Sequence, residues 1–158
     1  MNPENIKSML AFNREILSKA LPSFIRSIKK CRSLELTVPI PFEVEESFDA
    51  LTSKFARVSD IFTQKVLKSY VMLTREDAPT FLDRMHLCEK LGLIASADDL
   101  IAIRDMRNLI AHEYLTENLL EIYKESLELS EKLLNAIQTA NAAIDSNCQI
   151  TTHLTDAS

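Results

Sequence analysis

Apolar residues recur at three- and four-residue intervals through most of this chain, the period of helices that each bury one face. Asn2 caps a first helix with Pro3 at its first position, and Ile6, Met9, Leu10, Phe12, Ile16, Leu17 and Ala20 form its inner face. Pro22 predicts a kink or break before Phe24, Ile25 and Ile28 resume the pattern. Thr37-Val38-Pro39-Ile40-Pro41 cannot be helical throughout and reads as a linker. The cleanest stripe follows: Phe48, Leu51, Phe55, Val58, Phe62, Val66, Tyr70 and Leu73 predict one long core helix. Its four aromatic members would suit a base-stacking platform, but a packed bundle seam is the simpler reading.

Asp77-Ala78-Pro79 predicts the opening of a short helix with Phe81, Leu82, Met85 and Leu91 inward and Gly92 as its left-handed stop. Ser96-Ala97-Asp98-Asp99 then approximates a capping box for a further helix. After it, Thr116 caps a last long helix, with Leu119, Ile122, Tyr123, Leu127, Leu133, Leu134 and Ile137 as its core face. Glu117, Glu121, Glu125 and Glu128 form an acidic, solvated ridge on it. From Asp145 the sequence turns polar and loses its period. The expected division is therefore a helical domain over 1–144 and a polar, frayed C-terminal tail over 145–158.

Composition sharpens the fold class. One glycine, Gly92, in 158 residues leaves too few flexible points for an all-β or Gly-loop nucleotide-binding fold. The expectation is all-α, an antiparallel bundle of about five helices. No run of about 18 apolar residues indicates a membrane span, and the polar N-terminus lacks a secretory core. Cys31, Cys88 and Cys148 are odd in number and widely separated, as suits free thiols in a cytoplasmic setting.

Net charge is −5, unevenly spread. Residues 1–75 carry 12 basic and 8 acidic side chains (+4), residues 76–158 carry 6 and 15 (−9). A whole-protein electrostatic grip on nucleic acid is thus disfavoured, and any RNA contact has to be local. Arg26, Lys29, Lys30 and Arg32 read first as charges favoured at a helix C-terminus and second as a phosphate patch.

The chemistry concentrates in Arg104-Asp105-Met106-Arg107-Asn108-Leu109-Ile110-Ala111-His112-Glu113-Tyr114. Two arginines, an amide, an imidazole and a phenol fall within about three helical turns. Asn108 and His112 are four apart and share a face, as do Arg104 and Asn108. Arg107 and His112 are about 140° apart round the axis, so one copy does not aim both at one point. A second copy across a two-fold axis would bring both pairs to one cleft. An imidazole that titrates near neutrality and a guanidinium that binds phosphate suit metal-free phosphodiester cleavage, for which RNA supplies its own 2′-hydroxyl nucleophile. No carboxylate cluster has metal-ligand spacing, which disfavours a two-metal nuclease. Spacing alone also fits a plain structural role, with Asp105 paired to the neighbouring arginines. His86 and Cys88, two apart, face away from each other and make no metal pair.

Arg107-Asn108-Leu109-Ile110-Ala111-His112-Glu113-Tyr114 resembles the R-x4-H-x-Y motif of HepT, the toxin of HepT/MNT toxin–antitoxin pairs in the HEPN superfamily. The resemblance extends over roughly residues 78–115, including Leu91-Gly92-Leu93-Ile94 and Arg104, and the helical plan agrees over nearly the whole chain. It implies a HEPN-like helical bundle, a homodimer, and metal-independent endoribonuclease activity. Arg107 would stabilise the phosphate, His112 would serve as acid/base, and Asn108 and Arg104 would support them. Tyr114 would be the hydroxyl onto which an MNT-type nucleotidyltransferase antitoxin transfers AMP from ATP, as in a type VII-like pair. No cofactor of the chain's own is implied. The alternative is the family's older description, a nucleotide-binding accessory subunit of a minimal nucleotidyltransferase without ribonuclease activity.

Overall fold

The computed structural model describes the backbone over residues 1–112 and 118–156, and side chains within that range as far as Asn147. Helix α1 spans Pro3–Arg32, and α2 spans Phe42–Asp60. A π-helical segment, Ile61–Leu67, joins α2 without interruption to α3, Lys68–Thr74. Then come α4, Phe81–Lys90, α5, Ala97–His112, and α6, Leu119–Asp156. Counting α2 to α3 as one rod, the described residues form five helices, with no strand among them.

Side-chain contacts between the helices give their directions. Asn13 meets Ser69 at 2.9 Å while Cys31 meets the Ser47 carbonyl at 3.3 Å, so α1 runs antiparallel to the α2–α3 rod. Arg14 reaches Asp145 at 2.7 Å and Arg32 reaches Glu131 at 2.6 Å, which sets α6 antiparallel to α1. Tyr123 on α6 stacks on Phe48 with ring centroids 5.1 Å apart, and its hydroxyl donates to Asp49 Oδ1. α5 folds back along α6, with Lys132 3.6 Å from Asp99.

The predicted seam is the core. Phe48, Leu51, Phe55, Val58, Phe62 and Val66 are all at most 1% exposed, with Tyr70 and Leu73 half-buried at its end. Its three phenylalanines are therefore closed to bases, and the packing reading holds. The rod is not α-helical throughout, however. Over Ile61–Leu67 it widens, and polar side chains cover the altered backbone. Ser69 donates to the Lys65 carbonyl at 2.6 Å, Thr63 to Ser59 at 2.8 Å, and Asn13 also approaches the Lys65 carbonyl. Asn13, buried on α1, belongs to this polar cluster, whereas Phe12, expected inside, is 63% exposed.

Of the kink or break expected at Pro22, the break does not occur, and α1 runs through it. A mid-helix proline costs about 3 kcal/mol. On either side of it, Leu17, Phe24 and Ile28 are buried to 2% exposure or less against the same rod. At roughly 1.5–3 kcal/mol each, those side chains outweigh the lost hydrogen bond.

α4 starts three residues later than expected. Thr80 is its cap, in a reciprocal capping box with Asp83, and Pro79 precedes it. Leu82 and Leu91 point outward, and Met85, Leu87 and Cys88 take the core. Gly92 has φ +76°, the left-handed stop expected there, and Leu93 and Ile94 are buried just beyond it. Ser96 caps α5 by accepting from Asp99 N–H, while Glu89 reaches across from α4 to the Ala97 N–H at 2.5 Å.

α6 continues in helical conformation past Ile144 and through the polar residues from Asp145 as far as Asp156. Glu121, Glu125 and Glu128 form its solvated ridge. Thr116, Glu117 and the side chain of Cys148 lie outside the described residues. Cys31 and Cys88 are free, buried thiols. Among the described residues no helix is long and apolar enough to cross a membrane.

Candidate functional site

The C-terminal half of α5 carries the polar constellation. Met106, with Ile103 and Leu100, faces the core and fixes the helix's rotation, which sends Arg104, Arg107, Asn108 and His112 to three different surroundings.

Arg107 turns toward the α2–α3 rod. Its Nε donates to Asp60 Oδ1 at 2.9 Å and its Nη2 to Oδ2 at 2.8 Å, a two-pronged fork onto one carboxylate. The hydrogen bond and the charge of Asp60 push the Arg107 pKa up, against a smaller opposing effect of burial. Side-chain exposures of 33% for Arg107 and 45% for Asp60 leave one edge of the pair open to solvent.

Arg104 lies over the Phe81 ring of α4, its guanidinium carbon 4.5 Å from the ring centroid, and reaches Asp105 at 3.4 Å. This is a cation–π contact that pins α4 to α5, with the neighbouring acid as the anticipated partner. Asn108 and His112 stand one turn apart on an exposed strip of α5, without a hydrogen-bond partner among the described residues. Tyr114 lies outside the described residues.

Within one chain, Asn108 and His112 are thus brought together and open to solvent, whereas Arg107 and Arg104 each have a protein partner. Asp60 is the participant that sequence reading does not reveal. It lies 47 positions from Arg107, off the apolar stripe of the rod, and only tertiary packing joins the two. Its one local signal is a lone acid midway along the core helix. Among the described residues no group of three or more His, Cys, Asp or Glu side chains is placed to hold a metal ion. No family model, curated protein or solved structure matches the chain.

Proposed function

We propose that this chain is a metal-independent endoribonuclease of the toxin class, working as a homodimer through the C-terminal half of α5. The observation that carries the reading is the presentation of His112 and Asn108 on one open strip of the same helix as Arg107, whose two-pronged hold on Asp60 shows a guanidinium geometry that also fits an oxyanion. In this mechanism the His112 imidazole takes the proton of an RNA 2′-hydroxyl. The 2′-oxygen attacks phosphorus, the bond to the 5′-oxygen breaks, and the second copy's His112, in its imidazolium form, gives its proton to that leaving oxygen. Arg107 carries the charge that builds on the non-bridging oxygens, exchanging its carboxylate partner for phosphate at one edge. Asn108 orients the phosphate as a neutral donor, and Arg104 acts through its hold on α4. AMP transfer from ATP to Tyr114 by a partner nucleotidyltransferase silences the enzyme through added bulk and negative charge.

The test is RNA cleavage in EDTA by wild-type protein shown by mass spectrometry to be unmodified at Tyr114. Cleavage by wild type, with at least about 100-fold loss in Arg107→Ala and in His112→Ala, is the expected result. Intact RNA with unmodified wild type overturns the proposal, and ATP or AMP binding without cleavage would favour an accessory subunit in its place.

A further inference from the structure

Away from α5, a cleft of about 670 Å3 opens between the C-terminal half of α1 and the N-terminal half of α2. That volume lies within the usual range for small-molecule sites, about 300–1,000 Å3. The basic cluster near the end of α1 divides there. Arg32 is spent on Glu131, but Arg26 and Lys30, one turn apart, line the cleft and are joined by Lys54 from α2. Lys54 is already oriented: its ammonium donates to Ser27 Oγ at 2.7 Å and approaches the Ser23 carbonyl at 3.5 Å. Ser27 is buried and, as acceptor from Lys54, keeps its own hydroxyl proton to donate.

The charges in this cleft are sorted along its length. Lys54 against Ser27 fixes one level and Cys31 against Ser47 the next, which places Leu34 opposite Val44 at the far end. Arg26 and Lys54 therefore occupy one end, Lys30 and Glu46 neighbouring levels in the middle, and Glu43 the other end. None of these five charged groups makes an ion pair with a described residue, although all line one cleft. Ala50 near the middle and Leu34 and Val44 towards the Glu43 end supply the apolar part of the lining.

We propose that this cleft binds a small phosphomonoester, its phosphate held by Arg26, Lys30 and Lys54 and its compact apolar body on Leu34, Val44 and Ala50. Three cations match a phosphate dianion better than a carboxylate, and fork geometry lets Arg26 take two of its oxygens. Glu46 beside the middle and Glu43 at the far end disfavour a second phosphate further along, so the cleft does not continue as a track for a nucleic-acid backbone. The assignment is independent of the ribonuclease reading, since none of its residues belongs to α5.

The test is calorimetric titration of the full chain with phenyl phosphate and, separately, inorganic phosphate. Saturable one-site binding of phenyl phosphate, tighter than that of inorganic phosphate, is the expected result. Arg26→Gln, at an exposed position that leaves the fold intact, is expected to weaken it about tenfold. Lys54→Met, checked for native helicity by circular dichroism, is expected to weaken it by a similar factor, and Arg107→Ala to leave it unchanged. Absence of saturable binding up to about 5 mM, equal affinity in wild type and Arg26→Gln, or binding of an RNA oligomer but not of phenyl phosphate overturns the assignment.

Discussion

At the scale of single residues, the contact between Arg107 and Asp60 governs how the candidate site behaves. It fastens α5 to the end of α2 with two charge-assisted hydrogen bonds, yet both side chains keep an edge in water. Solvent screening limits its contribution to stability to about 1 kcal/mol. Asp60→Asn should accordingly lower the urea midpoint by an amount equivalent to about 1 kcal/mol in low salt, and by less in about 0.5 M NaCl. An unchanged midpoint at low salt would show that the pair contributes nothing to the fold. Arg104 differs in kind: its flat guanidinium packs on an aromatic face, so it holds helices together rather than facing a ligand. The same-face relation of Arg104 and Asn108 was legible from spacing, but the direction in which each long side chain leaves the helix was not. That depends on Phe81 and Asp60, neither of which lies near in sequence to the residue it engages.

Among the elements, the seam from Phe48 to Leu73 was readable because its period is sustained over seven turns and its members from Phe48 to Val66 are all buried. Two features escaped for a common reason, in that burial elsewhere on the element overrode a local preference. Pro22 is tolerated in mid-helix because apolar faces before and after it lie on one rod. Since Pro22 is itself exposed, Pro22→Ala restores a backbone donor without disturbing the core. The expected outcome is a gain of roughly 1–2 kcal/mol in chemical denaturation, smaller than the full cost of an internal proline because proline also restricts the unfolded chain. A loss of stability would mean that α1 needs the local distortion. The start of α4 was misplaced because Asp77 and Thr80 are both good caps. Thr80 prevails through Asp83, which returns the hydrogen bond and completes a reciprocal pair.

Over the whole molecule, the all-helical class followed from glycine scarcity and period alone, whereas the mutual directions of the helices had to come from contacts such as Asn13 with Ser69. Global stability also carries a pH signature. Burial pushes the Cys31 thiol up from 9.0 to about 11 and the Cys88 thiol up to about 12, with nearby cations opposing only in part. Desolvation, reinforced by the hydrogen bond to Asp49, raises the Tyr123 phenol as well. A raised pKa in the folded state means that the unfolded chain gives up these protons first. The stabilisation is complete below pH 9 and is lost as pH climbs through the folded values. Each thiol should remove about 1.4 kcal/mol per pH unit between pH 9 and its folded pKa. Urea midpoints at pH 8 and pH 10.5 should therefore fall steeply, and the fall should be shallower in Cys31→Ala/Cys88→Ala. Equal slopes in the two proteins would mean that the thiols keep their ordinary acidity.

The wide winding over Ile61–Leu67 bears on how this protein's length can vary. Seven residues at π geometry turn through about the same total angle as six at α geometry and differ in rise by only about 1 Å. Losing one amino acid inside that window would relax it to ordinary coil, keeping Phe55 upstream and Tyr70 downstream on their present sides. The same loss among residues 48–60 would rotate the remainder of the rod by about 100° and turn its greasy side toward water. Indels along this rod should thus be admissible at one place and ruinous a turn or two before it.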